Sequence, residues 1–551
     1  MPTHEVFNVP SPWTGVNLFA DDRALSGALA EAGADAEELE LLRRLGELAG
    51  TPLAQEWGRL ANSHPPVLRT HDRYGHRIDE VEFHPSWHEL MAVAVSNGLQ
   101  AAPWAPGATK HAHLSRAAGF YVWSQVEQGH LCPISMSYAV LPTLRHSPEL
   151  AARYEPGLLS DAYDFGLRPA RAKRGLLAGM AMTEKQGGSD VHANTTRAVG
   201  QPDGSYRLTG HKWFCSAPMC DLFLVLAQTE EGLGCFAVPR VLPDGTRNPF
   251  ALQRLKDKLG NRSNASSEVE FDGTVGWLVG EPGRGVRTII DMVAMTRLDC
   301  VIGSAGLQRA ALTQALHHVA GRSAFGARLA DQPLMRAVLA DLAVEVDAAM
   351  QLSLRLAGAV DRGETALLRL GVAAAKFWVC KRTSTVVGES LECLGGAGYV
   401  EESPLPRYYR ESPLNSIWEG SGNVIALDVL RALGREPATL EVLTDELAGT
   451  TGADPRLDAA VAQLTDLLRM ASTDPAAAAR QARTLTGLLA RTLQASLLVR
   501  AAEGPEPARA AIAEAFLASR LAAEPPAVFG TGPLAAGLGD QIVGYTDPNA
   551  A

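Results

Sequence analysis

The chain has 551 residues, 46% of them hydrophobic and 20% charged, which suits about three or four soluble globular domains or subdomains. A formal net charge of −11 argues against non-specific adhesion to nucleic acid or an anionic membrane, and seven scattered cysteines without a CxxC suggest neither a disulfide framework nor a zinc site. The start, MPTHEVFNVPSPWTG, lacks a basic segment followed by an apolar one, and no run approaches a membrane span, so a cytoplasmic location is expected, with no metal.

From Leu25 to about Arg174 apolar residues recur at three- and four-residue spacing, as in AEELELLRRLGELAG and HLSRAAGFYVWSQVEQGHLCP, and predict helices. Asn62–Pro85, rich in proline and histidine, reads as extended surface chain. From Leu176 to about Leu278 short β-rich runs such as YRLTGHKWFC, LFLVLAQ and SEVEFDG alternate with Gly, Asp and Pro and predict an antiparallel sheet. Helical periodicity returns at Gly285 and holds to Leu433 in long segments with broad apolar faces, as bundle helices have. Pro437 is expected to open a last helical section, closing in a glycine-rich tail. The fold class is therefore α+β, mostly α, divided as 1–175 (N-terminal extension and helical domain), 176–280 (middle β domain), 281–436 (helical bundle) and 437–551 (C-terminal helical domain).

Asn415–Asn423, NSIWEGSGN, sets Glu419 between apolar Ile417 and Trp418 and a glycine-serine turn that opens a helix. Nearby Trp418 favours the protonated carboxyl and the helix N-terminus favours the carboxylate, so the sequence leaves its proton affinity open. A lone glutamate in such a turn is ordinarily a solvated helix-start residue, and a general base needs independent support. Two further segments supply it. Met180–Val191, MAMTEKQGGSDV, flanks a Gly187–Gly188 turn with Thr183 and Ser189, hydroxyls and exposed N–H groups that suit a planar ring and a phosphate-bearing tail. Gly210–Ala217, GHKWFCSA, offers Phe214 for stacking and Ser216 for a hydrogen bond.

In this order and across this helix–sheet–helix pattern, the three segments resemble the acyl-CoA dehydrogenase superfamily of flavoproteins. Lys256–Phe271 (KDKLGNRSNASSEVEF), Arg322–Gly326 (RSAFG), Gln332–Leu334 and Leu394–Tyr399 (LGGAGY) extend the resemblance. Glu5–Phe19, Gly58–Asp79 and MTEKQGGSD, with Lys185–Gln186 in place of Pro-Gly, bring it nearer the AidB-type proteins of the adaptive response to alkylation. The resemblance implies FAD as cofactor. It assigns Met182, Thr183, Gly188, Ser189, Phe214, Cys215, Ser216, Arg322, Phe325, Gln332, Gly395, Gly396, Ile417, Trp418, Ser421 and Asn423 to FAD binding, partly from a neighbouring subunit, and so implies a homotetramer.

It further implies an acyl-CoA dehydrogenase-like oxidoreductase in which Glu419 takes the α-proton of an acyl-CoA while a hydride goes to flavin N5. Thr296, beside Arg297, stands where some members keep their base, leaving Glu419 for that role. Lys185 and Gln186 are expected to narrow the entry and weaken turnover of long acyl-CoAs; the electron acceptor is unread. The alternative is a flavoprotein whose C-terminal domain binds double-stranded DNA to protect or repair it. Residues 437–551 carry eight Arg and no Lys against 13 acidic residues, a net of −5, which weakens that alternative; Arg480, Arg483 and Arg491 fall on one face of the long helix, a residual basic stripe or, more in keeping with the charge balance, an ordinary solvated face.

Overall fold

The computed structural model describes residues 3–436, 438–535 and 537–550, so Pro437 lies outside the described residues. The chain forms two compact units. One comprises residues 53–112 and 126–299, the other residues 1–52, 113–125 and 300–551.

The first unit is built on a sheet. Strands β1 (Val67–His71) and β2 (Arg77–Glu82) form a separate antiparallel hairpin inside the segment expected to be extended chain. The main sheet contains β3 (Ala178–Ala181), β4 (Arg197–Gly200), β5 (Tyr206–Ser216), β6 (Leu222–Thr229), β7 (Gly232–Pro239), β8 (Phe250–Leu255) and β9 (Ser266–Val279). Its order is β3-β6-β4-β5-β9-β7, with β8 on β9. An added β6–β7 pairing closes the inner strands into a ring, which leaves little exposed edge. The sheet is mainly antiparallel as expected, but β3 and β4 both run parallel to β6. Phe250 holds its core, with ring centroids 5.1 Å from Phe223 and 5.3 Å from Phe271.

The second unit is helical. Gly285–Gly321 (from residue 300 onward in this unit), Pro333–Asp361, Thr365–Cys393 and Gly422–Arg435 supply the bundle, and Ala438–Ala448, Pro455–Thr473, Pro475–Ala501 and Pro507–Arg520 follow. Leu538–Thr546 adds a helix within the stretch expected to be a glycine-rich tail. These last helices share the bundle's core: Leu316, Leu342 and Val386 belong to one buried cluster with Leu498, Ile512, Phe516 and Ile542. Strands β10 (Ser323–Ala324) and β11 (Ala327–Arg328) form a small ribbon after the first long helix.

Charged groups are buried at the same junction. Arg520 donates to Asp341 (2.6 Å) and Glu345 (2.8 Å), and Arg382 also reaches Glu345 (3.1 Å). Removing one partner of such a set strands the others without water, so it fixes how the helices dock. All seven cysteines are buried and none forms a disulfide, and among the described residues no helix is long and apolar enough to cross a membrane.

Candidate functional site

Most of the residues singled out in the sequence lie around the loop after β3 and β5 in the sheet unit and around the Glu419 turn in the helical unit. In the sheet unit, the loop after β3 turns back on itself through Glu184 N–H to Gly187 O (3.2 Å) and Gly187 N–H to Glu184 O (3.0 Å). Gly187 takes φ 145°, which an L side chain resists. A Cβ on Gly188 would lie 2.4 Å from Thr183 Oγ1, so only glycine lets the two segments close. The Thr183 carbonyl accepts from Trp213 N–H (2.8 Å) and ties the loop to β5. Met182 and Thr183 are half-buried, while Ser189 is exposed.

On β5, Phe214 keeps 50% of its surface exposed between half-buried Trp213 and buried Cys215. Cys215 is fully buried, and burial pushes its thiol up to about 12, so it offers its main chain rather than a reactive sulfur. Ser216 is half-buried at the strand's end and Ala217 turns the chain at φ 52°.

What organises this cluster is a pair that sequence reasoning missed. The Glu184 carboxylate is fully buried and accepts from Lys212 Nζ (2.9 Å), Thr195 N (2.7 Å), Thr195 Oγ1 (2.9 Å), Thr196 N (3.1 Å) and Gln186 Nε2 (2.8 Å). Burial alone would raise its pKa, but the Thr195 and Thr196 hydrogen bonds and the Lys212 charge outweigh that and hold it well below the usual range. Gln186, although exposed, therefore stitches the loop together, also donating to Ala193 O (3.3 Å). Lys185 lies with its Nζ 5.5 Å from the Trp213 ring centroid. Lys256 Nζ sits 3.2 Å from that centroid and 4.8 Å from the Phe214 centroid, forming a cationic shelf beside the exposed ring. The signal for it lay in QRLKDK, whose cations gain meaning only from the strand register.

In the helical unit, Glu419 is half-buried with φ 57°, followed by Gly420 at φ 106°. A non-glycine residue in this region stores strain that its surroundings must hold. Lys376, 1% exposed, donates from Nζ to Gly420 O (2.7 Å). Trp418 Nε1 donates to Asn415 Oδ1 (2.8 Å), and the Asn415 amide donates to Ser304 Oγ (3.1 Å) and Cys300 O (3.3 Å). Ile417 is 60% exposed.

Ser421 is the exposed residue before helix Gly422–Arg435 and makes no capping bond through its hydroxyl. Asn423 Oδ1 accepts from Arg483 Nη1 (2.8 Å), a residue of helix Pro475–Ala501. Arg491 donates to Arg520 O (2.7 Å) and lies 5.2 Å from the Trp378 ring centroid, so two members of the basic stripe serve internal contacts.

Elsewhere in this unit Arg322 is half-buried, Phe325 is 99% exposed at φ 54°, and Gln332 Nε2 donates to Ala324 O (3.0 Å). Gly395 has φ 58°, and no atom lies within 4 Å of a Cβ built on it or on Gly396, so both face open space. In the sheet unit, Thr296 is buried and donates to Val293 O (3.1 Å). Among the described residues no group of three or more His, Cys, Asp or Glu could hold a metal ion.

An exposed ring and a glycine-tight hydroxyl loop in the sheet unit, and a carboxylate in a strained turn in the helical unit, are features that would suit a flat redox cofactor and a proton transfer. Comparison with known proteins agrees. The adaptive response protein AidB N-terminal domain matches residues 8–165, the acyl-CoA dehydrogenase middle domain residues 179–274, and the acyl-CoA dehydrogenase C-terminal domain residues 283–434. The putative acyl-CoA dehydrogenase AidB of Escherichia coli K12 is 49% identical over 472 residues, 85% of this chain and 87% of that protein. The structure of Caenorhabditis elegans ACDH-11 in complex with C11-CoA superposes with a TM-score of 0.85 at 26% identity, covering 96% of this chain and 94% of that one. An acyl-CoA dehydrogenase from Bacillus anthracis complexed with FAD shares the fold, with a TM-score of 0.70 at 18% identity over 88% and 86% of the two chains. The chain belongs to the acyl-CoA dehydrogenase family, in its AidB branch, and is thereby an FAD-dependent oxidoreductase.

Proposed function

We propose that the protein oxidises an acyl-CoA thioester, with Glu419 as the base that removes the α-proton. The observation that carries this reading is the strained turn at Glu419, clamped by Lys376 on Gly420 O and by Asn415 on Trp418. A half-buried carboxylate held against backbone strain is a positioned one.

Thr183, Ser189, Phe214 and Ser216 would hold FAD in the sheet unit, and Arg322, Gln332, Gly395 and Gly396 would meet its phosphates and adenosine. The half-exposed Phe214 ring, the closure at Gly188 and the open space at Gly396 fit a flat, phosphate-bearing group. Bound FAD supplies the acceptor for the hydride that leaves the β-carbon. Glu419 Oε takes the α-proton, and the Glu419 main-chain N–H donates to the thioester oxygen as charge develops there. Trp418, the residue before Glu419, is pinned by Asn415, and its indole would help keep water from the carboxylate. The C11-CoA bound by the worm relative supports an acyl-CoA as substrate class.

Phe325, Leu334 (85% exposed) and Tyr399 (81% exposed) are apolar groups for a second copy to cover, in keeping with a homotetramer. The alternative of duplex DNA on the C-terminal helices has less to support it, since Arg483 and Arg491 are engaged within the protein. Anaerobic titration with acyl-CoAs of increasing length tests the main reading. Bleaching of the flavin by one of them, lost in Glu419→Gln, is expected; a flavin that no thioester reduces would overturn it.

A further inference from the structure

The ribbon β10–β11 has two residues per strand, too few to stand alone in water. Its turn, Phe325–Gly326, takes φ 54° and 83°, and its base is tied by Leu329 N–H to Arg322 O (2.8 Å). The rest of its support comes from the far end of the sequence. Asn8 lies along β10 as a third strand would: its Oδ1 accepts from Ser323 N–H (2.7 Å) and its Nδ2 donates to Ser323 O (2.8 Å).

The same residue's main-chain carbonyl accepts from Arg322 Nη1 (2.6 Å). Only an asparagine side chain offers a donor and an acceptor at this reach, and asparagine tolerates the left-handed φ of 58° found here. Three contacts then fasten the following residues. A Cβ on Gly321 would lie 3.1 Å from the Pro10 ring, His317 Nε2 donates to Ser11 O (2.7 Å), and Trp13 meets the His317 ring at 5.0 Å.

We propose that Asn8 is a positioning residue for the cofactor: it fixes the ribbon and the guanidinium of Arg322 so that the remaining N–H groups of that fork present themselves to a phosphate of FAD. This rests on the reading that Arg322 meets such a phosphate. One Arg322 nitrogen is committed to Asn8 O, which orients the guanidinium plane in advance and lowers the ordering cost of binding a diphosphate. The contacts belong to the segment Asn8–Trp13 rather than to the dehydrogenase core, so a short N-terminal strap sets cofactor affinity.

The test is a double-mutant cycle on the full-length protein, reading the dissociation constant for FAD added to apoprotein by flavin fluorescence. Asn8→Gly keeps the left-handed backbone and removes only the amide; Asn8→Ala is the second variant. In the wild-type background each is expected to weaken FAD binding about tenfold, because the main-chain carbonyl that orients Arg322 is no longer held against β10 by the two amide bonds to Ser323, with apoprotein Tm unchanged. In an Arg322→Ala background the same changes are expected to cost less than about twofold, because Asn8 acts through Arg322. Full FAD affinity in both Asn8 variants, with Arg322→Ala weakened, would overturn the proposal while sparing the phosphate reading. An Asn8 effect undiminished in Arg322→Ala would overturn it too. Full affinity in Arg322→Ala itself would remove the phosphate reading and the proposal together.

Discussion

Glu184 in TEKQGGS and Glu419 in WEGSG each stand shortly before a glycine-serine turn, and the fold treats the two carboxylates in opposite ways. Glu184 is fully buried under five donors, with Lys212 as its counter-charge, and its loop closes around it. Glu419 is half-buried in a strained backbone whose supports grip its neighbours Trp418, Gly420 and Asn423. A carboxylate satisfied by its own loop builds structure. The strained backbone at Glu419 instead supports the proposal that this carboxylate is the base.

The largest expected effect separates the two at once. Glu419→Gln should slow flavin reduction by acyl-CoA about 100- to 10,000-fold, the range for a lost general base, in stopped-flow traces, with the flavin still bound. Glu184→Gln or Lys212→Met should instead cost about 3–5 kcal/mol in urea unfolding, because each leaves a buried charge without its partner. Flavin reduction per folded molecule should then stay within about threefold of wild type. A stable Glu184→Gln protein unable to reduce its flavin would invert the comparison.

The pH dependence of stability sharpens it further. Because the folded pKa of Glu184 lies below its unfolded value, its contribution is present above the unfolded carboxyl range and fades as pH falls below about 4. Asp347 behaves in the reverse sense: burial, then the nearby Asp22 charge, raises it to about 7, so stability is lost as pH climbs from about 4 to 7. Tm measured from pH 3 to 8 should show the acid limb flatten in Glu184→Gln and the neutral limb flatten in Asp347→Asn. The smallest effect is expected from Arg483→Ala. It removes one exposed hydrogen bond to Asn423 and should lower the rate of flavin reduction about two- to threefold.

Much of this molecule was legible before any coordinates. The change of apolar period near Leu176 and again near Gly285 announces the helix–sheet–helix order, and NSIWEGSGN announces a constrained glutamate. The Glu184–Lys212 pair was hidden because 28 residues separate its members and only the fold of the loop onto β5 brings them together. The bond from Gln186 to Ala193 O was hidden for the same reason, since that carbonyl follows a turn with no sequence signature. The helix Leu538–Thr546 was obscured by glycines before it and within it (Gly537, Gly539, Gly544), and its stability comes from Ile542 and Tyr545 entering the shared core rather than from propensity.

The helical unit joins the first fifty residues to the last two hundred and fifty, with most of the sheet unit's sequence inserted between. Helix Arg23–Ala32 meets the far end of the chain directly: Arg23 donates to Gly544 O, Glu31 pairs with Arg509, and Asp22, just before the helix, pairs at 3.2 Å with Arg309, which also donates to Thr546 O (3.2 Å). During synthesis that helix must wait, its apolar face unburied, until some five hundred further residues have left the ribosome. The sheet unit can close long before then. Nascent chains stalled short of Leu538 should therefore be the ones that chaperones hold and proteases trim, with the cut falling in the opening residues.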